Sequence, residues 1–279
     1  MDTTHETAGP ESAGLSRRLL LAVGGVVLLG GCATTGSFRP SPPSGRSRRI
    51  STPISTSDPV RPVAARRPAR PRHHARPHER EPGTDEQPMR FIDDGQKAIA
   101  LTIDDGPSPV YTPQVLRLLH RYGITASFSM IGVNVAAYPG VARAVADAGH
   151  MIVNHTQHHR NLAFMWPAGV ADEMDLATEA IHRATGRVPD MFRAPYGSWS
   201  QTVLQRCRDT GMTPLDWSVD PRDWSRPGVT AIIKNIMDNI RTGSIILEHD
   251  GGGNRSQTVA ALSVVIPRLL DAGYQFRTP

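Results

Sequence analysis

Ala98-Ile99-Ala100-Leu101-Thr102-Ile103-Asp104-Asp105-Gly106-Pro107 is the stretch on which the reading of this chain turns. Ala98 to Ile103 is an apolar, alternating run of strand length, so it reads as a buried strand. Two adjacent carboxylates stand at its C-terminal end, and Gly-Pro breaks the backbone behind them. In parallel α/β folds, chemistry collects at that end of the strands. Neighbouring carboxylates repel and stay ionised together only near a cation or hydrogen-bond donors, and a bound metal is the simplest source of charge. An acidic Asp-Gly turn without function is the plainer alternative. The residues downstream decide between them.

Outward from this strand, the pattern alternates between strands and helices. Helix Thr112–Tyr122 carries Val115, Leu118 and Leu119 on one stripe. Strand Ile124–Ile131 and helix Gly140–Ala148 follow, then strand Met151–Val153 and a long helix, Val170–Thr185, ended by Gly186. Strand Met191–Arg193, helix Thr202–Thr210, strand Thr213–Trp217, helix Thr230–Ile240, strand Ser244–Glu248, helix Thr258–Ala272 and strand Tyr274–Arg277 complete the series. This α/β pattern predicts a parallel (β/α) barrel of about seven strands, smaller than the usual eight-fold one. An open doubly wound sheet is the alternative. No Gly-x-Gly-x-x-Gly opens a helix, which argues against a dinucleotide.

Polar groups cluster after the strands. His155-Thr156-Gln157-His158-His159 follows one strand end. His155 and His159 are four apart, so on a helical turn both imidazoles would face the same way. With Asp105 they make a two-His, one-Asp set suited to zinc with open positions. His158 would point elsewhere. Arg193-Ala194-Pro195-Tyr196-Gly197 offers an arginine able to pair with a catalytic carboxylate and a tight turn with a backbone N–H near Tyr196. Trp217-Ser218-Val219-Asp220-Pro221-Arg222-Asp223-Trp224 follows the next strand. Ile245-Ile246-Leu247-Glu248-His249-Asp250-Gly251 follows another, with His249 as the natural proton donor. Each motif alone is weak. Five polar sets at five strand ends are not.

In this order, T-I-D-D-G, H-T-x-x-H, R-A-P-Y-G, W-S-V-D-P-R-D-W and I-I-L-E-H resemble the five motifs of the polysaccharide deacetylases, carbohydrate esterase family 4 or the NodB-homology domain. The resemblance covers about Ala98 to Pro279. It implies a distorted (β/α) barrel and a hydrolase that removes acetyl groups from a glycan. It also implies Asp104 as general base, a metal, usually zinc, on Asp105, His155 and His159, and Arg193 tuning Asp104. His249 would be the general acid, tuned by Asp223 or, less well matched, by Asp220. Trp224 and Leu247 would wall the acetyl pocket, and the Tyr196 backbone N–H would meet the oxyanion. Glu248 departs from the family pattern. Its alternation turns it away from Leu247 and His249, so no catalytic effect is expected of it.

The rest of the chain reads as delivery. Ser16-Arg17-Arg18 precedes the 13-residue apolar run Leu19–Gly31, too short to span a bilayer comfortably and suited to an export signal. Leu29-Gly30-Gly31-Cys32 resembles a bacterial lipobox, which makes residues 1–32 a lipoprotein-type signal with Cys32 lipidated. A single-pass anchor or an ordinary cleaved signal is the alternative. Residues 33–88 hold 11 prolines, 11 arginines, 5 acidic residues and one aromatic, Phe38. That composition cannot bury a core and reads as an extended, disordered tether. Residues 89–279, the catalytic domain, hold 18 basic and 18 acidic residues, so the net charge of +5 belongs to the tail and nothing favours nucleic acid. Cys207 sits in a helix and, with Cys32 in a different context, suggests no disulfide.

Together these features lead to expectations of a monomer on the outer face of a bacterial cytoplasmic membrane, acting on N-acetylglucosamine units of peptidoglycan. A chitooligosaccharide deacetylase or an O-acetyl xylan esterase is the runner-up. A non-catalytic wall-binding lipoprotein fits less well, because a binding module has no need of Asp104 and His249 together. Met165 and Trp166 could touch sugar or pack in the core.

Overall fold

A computed structural model describes residues 87–279. The signal, Cys32 and nearly all of the expected tether lie outside the described residues. Among the described residues no helix is long and apolar enough to cross a membrane.

Strand β1 (Ala98–Gly106) is central. It is flanked by β2 (Ser127–Met130) and β6 (Ile245–His249), and β2 leads outward to β3 (Met151–Asn154), β4 (Met191–Phe192) and β5 (Thr213–Pro214). The last strand, β7 (Gln275–Phe276), joins the beginning of β1. Every pairing between these strands is parallel. The sheet curls toward closure through single bridges. Val219 pairs with Ile246, so the chain leaving β5 reaches β6, while Met89 pairs with Leu215 and Phe91 with Ser244 across the same gap. This is the seven-stranded distorted barrel expected from the sequence.

Helices α1 (Thr112–Tyr122), α2 (Gly132–Ala137), α3 (Pro139–Asp147), α4 (Pro167–Thr185), α5 (Gln201–Thr210), α6 (Val229–Asn239) and α7 (Ser256–Asp271) form the crossovers. The helix α2 is not legible in the sequence. Gly132-Val-Asn-Val opens it with four weak helix formers, and the apolar residues before it run straight on from the strand. The expected strand Ile124–Ile131 shrinks to the four residues of β2 for the same reason. Helix α4 starts three residues earlier than expected, because Pro167 occupies its first turn, where a missing N–H costs nothing.

Alternation along β1 sets the site. Ile99, Leu101 and Ile103 point outward into the main apolar cluster with Leu119 of α1, Ile181 of α4, Ile236 of α6 and Ile266 of α7. Ala98 and Ala100 point inward and pack with Val153, Met191, Leu215 and Ile245. Thr102 and Asp104 continue that inner face. On β6 the same rule turns Ile245, Leu247 and His249 inward, and Ile246 and Glu248 toward the helices. The interior that is apolar at the bottom of the barrel is therefore charged at its top.

Candidate active site

Asp104 ends the inner face of β1 and is 3% exposed. Arg193, which follows β4, is fully buried beneath it. One guanidinium nitrogen, Nη1, donates to Asp104 Oδ1 and to Thr102 Oγ1, each at 2.7 Å, and Nη2 donates to Asp216 O at 2.9 Å. The arginine thus ties β1 to the segments after β4 and β5, and leaves Asp104 Oδ2 turned to the cleft.

Asp105 is reached through an irregularity. The β1–β2 register slips between Asp104 and Gly106, and Asp105 adopts φ 71°, a left-handed conformation that a residue with a Cβ seldom takes. That twist sends successive carboxylates into one cleft instead of to opposite faces. Close backbone approach holds it. A Cβ on Gly251 would lie 1.9 Å from the Asp105 carbonyl oxygen. Gly251→Ala should therefore displace Asp105 and lower the affinity of the site for a divalent ion while far-UV circular dichroism stays native; titration with a metal indicator reads the change.

His155 and His159 bring their Nε2 atoms to 3.6 and 3.2 Å of Asp105 Oδ1. Ligand atoms of the three side chains all lie within 4.8 Å of one another, which makes them a group able to hold a metal ion. The i, i+4 spacing suggests a helical turn for the two histidines, but the structure has none there. Residues 155–161 form a loop, with Thr156 at φ 67° and His159 at φ 57°. The imidazoles converge because two left-handed residues reverse the chain, not because of an α-helical period.

The donor set fits a divalent ion. His155 Nδ1 donates to Arg193 O at 2.8 Å, which leaves the Nε2 lone pair for a ligand. Burial, reinforced by the neighbouring His155, lowers the pKa of His159 and keeps it neutral despite the pull of Asp105 and Asp104. Burial pushes the Asp105 carboxyl upward, but His155, His249 and His159 outweigh it and hold the group far below the ordinary carboxylate range. Asp105 Oδ1 is buried without a hydrogen-bond partner, an orphaned acceptor aimed at the two imidazoles.

Glu173, on α4, holds this loop from behind. It is 4% exposed and accepts from both the His158 N–H and His158 Nδ1, each at 2.8 Å. His158 points away from the two metal-facing imidazoles, as its place in the motif suggests, and stays exposed, while Glu173 has no part in the sequence reading. Nothing in the spacing could have paired them.

On the opposite wall, His249 ends β6. Its Nδ1 donates to Asp223 Oδ1 at 2.7 Å, and its backbone N–H donates to Asp223 Oδ2 at 3.0 Å, leaving Nε2 for the cleft. Asp223 rather than Asp220 makes this contact; Asp220 accepts from the Arg222 N–H instead. Burial draws the His249 pKa down, but the hydrogen bond and charge of Asp223, with Asp105 and Asp104 beyond, raise it above the usual imidazole value. Asp250, fully buried and bonded to Thr112 Oγ1, is pushed up to about 7 by burial against that hydrogen bond, with Asp105 and Asp104 adding to the rise.

These walls enclose a cleft of about 350 Å³ that Tyr196, Trp217, Trp224 and Leu247 also line. Tyr196 has φ 63°, and the bonds of its turn run from Gly197 N–H to Ala194 O and from Ser198 N–H to Pro195 O, so neither uses the Tyr196 N–H. Its ring packs on His159 at 4.7 Å. Met165 packs partly buried beneath α4, whereas Phe164 and Trp166 are each 87% exposed. A larger groove of about 560 Å³, between α4 and α5, lies at the helix layer and gathers no acid-base pair.

A parallel α/β barrel with a potential metal triad, a carboxylate held by arginine and a histidine held by aspartate, all at strand ends, defines a hydrolase of the acyl-transfer kind. Comparison with known proteins narrows that class. A sequence profile described as polysaccharide deacetylase matches residues 92–215. A chitooligosaccharide deacetylase of Bradyrhizobium sp. is 42% identical over 193 residues, covering 65% of this chain and 88% of the relative. A peptidoglycan-N-acetylglucosamine deacetylase of Bacillus cereus is 39% identical over 193 residues, covering 67% and 88%. The crystal structure of the Bc1960 peptidoglycan N-acetylglucosamine deacetylase superposes with a TM-score of 0.66 at 32% identity, covering 68% of this chain and 89% of that one. The chain belongs to the polysaccharide deacetylase family, carbohydrate esterase family 4, and is a deacetylase of that family.

Proposed function

We propose that this chain removes N-acetyl groups from N-acetylglucosamine units of peptidoglycan, using a divalent metal, zinc, on Asp105, His155 and His159. The observation that carries the reading is the pairing of Asp104 and His249 across one cleft, each with its own buried partner. Two groups whose surroundings separate a base from an acid are what amide hydrolysis requires.

Asp104 Oδ2 accepts a proton from the attacking water as the new C–O bond forms. The Tyr196 backbone N–H donates to the oxyanion that develops on the acetyl oxygen. His249 Nε2 gives its proton to the departing nitrogen as the C–N bond breaks, so the products are acetate and a glucosamine unit. Arg193 keeps Asp104 oriented, and Asp223 fixes the His249 tautomer. Trp224 and Leu247 wall the acetyl pocket. A bound divalent ion would supply Lewis acidity to the acetyl carbonyl and the attacking water.

Peptidoglycan is favoured by the Bacillus cereus relative and by the signal-like and Pro/Arg-rich sequence of residues 1–88. The Bradyrhizobium relative favours chitooligosaccharide as the second substrate, and an O-acetylated xylan is the third. Mass spectrometry of peptidoglycan fragments, chitopentaose and acetylated xylan after treatment decides among them. Conversion of chitopentaose with untouched peptidoglycan would overturn the first assignment.

Two further outcomes test parts of this reading. Loss of the loop clamp in Glu173→Ala should lower zinc affinity by about tenfold, the usual size of an outer-shell effect, as measured by chelator competition. Cys32→Ala should move the protein out of the membrane fraction on cell fractionation, because lipid on Cys32 and a tether over residues 33–88 would anchor the domain outside the cytoplasmic membrane. Retention as firm as in the parent would make Leu19–Gly31 an anchor instead.

A further inference from the structure

Glu248 is the one charged residue type on β6 that the mechanism leaves unused, and it is fully buried. It lies between Leu247 and His249 but faces the helix layer, paired in register with Ile103. As a carboxylate it would have nothing to accept from, since both its oxygens are buried with no donor in reach. As an acid it has an acceptor nearby: the Asp223 carboxyl is held by the N–H of His249, the next residue in the chain, and by Thr258 of α7 in the helix layer that Glu248 faces. Two buried carboxyls in contact do not both ionise. Asp223 is the one committed to the charge: His249 Nδ1 donates to Oδ1, and the His249 N–H and Thr258 Oγ1 donate to Oδ2 at 3.0 and 2.6 Å. A carboxylate has room for about four donors, so one position remains.

The groups around Glu248 agree with that division. Asp223 and Asp220, on the segment after β5, both disfavour a charge on it. Arg255, before α7, is a nearby cation that favours a charge, but its guanidinium donates to the carbonyls of Gly251, Trp224 and Gly252. Burial, the largest influence, also favours the neutral acid.

We propose that Glu248 is a protonated carboxylic acid that donates its hydrogen bond to Asp223, and that through Asp223 it acts as a positioning residue for His249. The part that concerns His249 as an acid rests on the function proposed above. The hydrogen bond draws charge density off Asp223. Without it, Asp223 would grip the imidazolium more tightly, and His249 would be a weaker acid toward the leaving amine.

Infrared spectroscopy of the zinc-loaded protein labelled with 13C-glutamate tests the protonation directly. At neutral pH the parent should show a labelled carboxylic-acid C=O stretch that Glu248→Gln abolishes; glutamate labelling keeps Asp250 out of the band. No such band in the parent would overturn the proposal whatever the substrate proves to be. Activity reads the second part. Glu248→Leu, which fills the same space without a donor, should lower kcat for chitopentaose several-fold and move the alkaline limb of kcat/KM upward. Glu248→Gln retains a neutral donor and should recover most of the loss. An unmoved limb in Glu248→Leu, with an unchanged fold by circular dichroism, would reduce Glu248 to a packing residue. Recovery no better with glutamine than with leucine would exclude the hydrogen bond as the cause. A parent inactive on every glycan, with the infrared band present, would sink the proposed function and leave the Glu248–Asp223 bond standing.

Discussion

His249→Ala should slow hydrolysis of an N-acetylglucosamine oligomer by about 10²–10⁴-fold while slowing an activated aryl acetate far less. A sugar amine leaves only when protonated, whereas a phenolate leaves unaided. The Nε2 atom is the part of His249 turned to the cleft, since Asp223 occupies Nδ1. The ratio of the two activities, mutant over parent, separates this role from any other. Equal losses would make His249 an oxyanion or binding residue and leave the amine without a donor. Asp104→Asn is the companion variant. It keeps an oxygen for Arg193 Nη1 and leaves Asp105, His155 and His159 untouched, so metal content should hold while both substrates lose a comparable factor. The base is needed for either leaving group.

Metal retention and activity should disappear together in His155→Ala. His155 is 2% exposed and is fixed by the Arg193 carbonyl, so its Nε2 is the most rigidly held of the three ligand atoms. Removing it leaves Asp105 and His159, a pair too small to hold a divalent ion firmly with open positions for water and substrate. Metal analysis after gel filtration gives the first readout and deacetylation the second. A variant that keeps its full complement of metal would show that the ion sits elsewhere.

The fold was legible where periodicity and strand-end motifs agreed. Helix α1 was read at its observed bounds, because a clean apolar stripe ends at Gly123, which takes the left-handed conformation at φ 62°. The inward facing of Leu247 and His249 followed from alternation alone. Other features depended on tertiary contacts that carry no local pattern. Closure of the barrel rests on single bridges such as Val219 to Ile246. The histidine pair was found for an insufficient reason, since residue spacing cannot distinguish a helical turn from a loop bent by Thr156 and His159. Glu173 carries no local signal as a member of the site, and alternation gives the outward facing of Glu248 but not its complete burial. A glutamate on a helix or an outward strand position looks solvated until packing buries it.

Arg193 has a consequence for how this chain could lose its activity. A guanidinium with no exposed surface is tolerable because Asp104 lies 2.7 Å from it. Breaking such a pair from one side costs about 3–5 kcal/mol, a large fraction of the roughly 5–15 kcal/mol that keeps a typical domain folded. The catalytic base is therefore also a counterion for the barrel's interior. Drift toward an inactive descendant is constrained accordingly: an aliphatic residue at 104 strands the arginine, so the two positions have to change together, or 104 has to keep a side-chain oxygen. A folded, catalytically silent relative of this protein would be expected to carry that signature in its sequence.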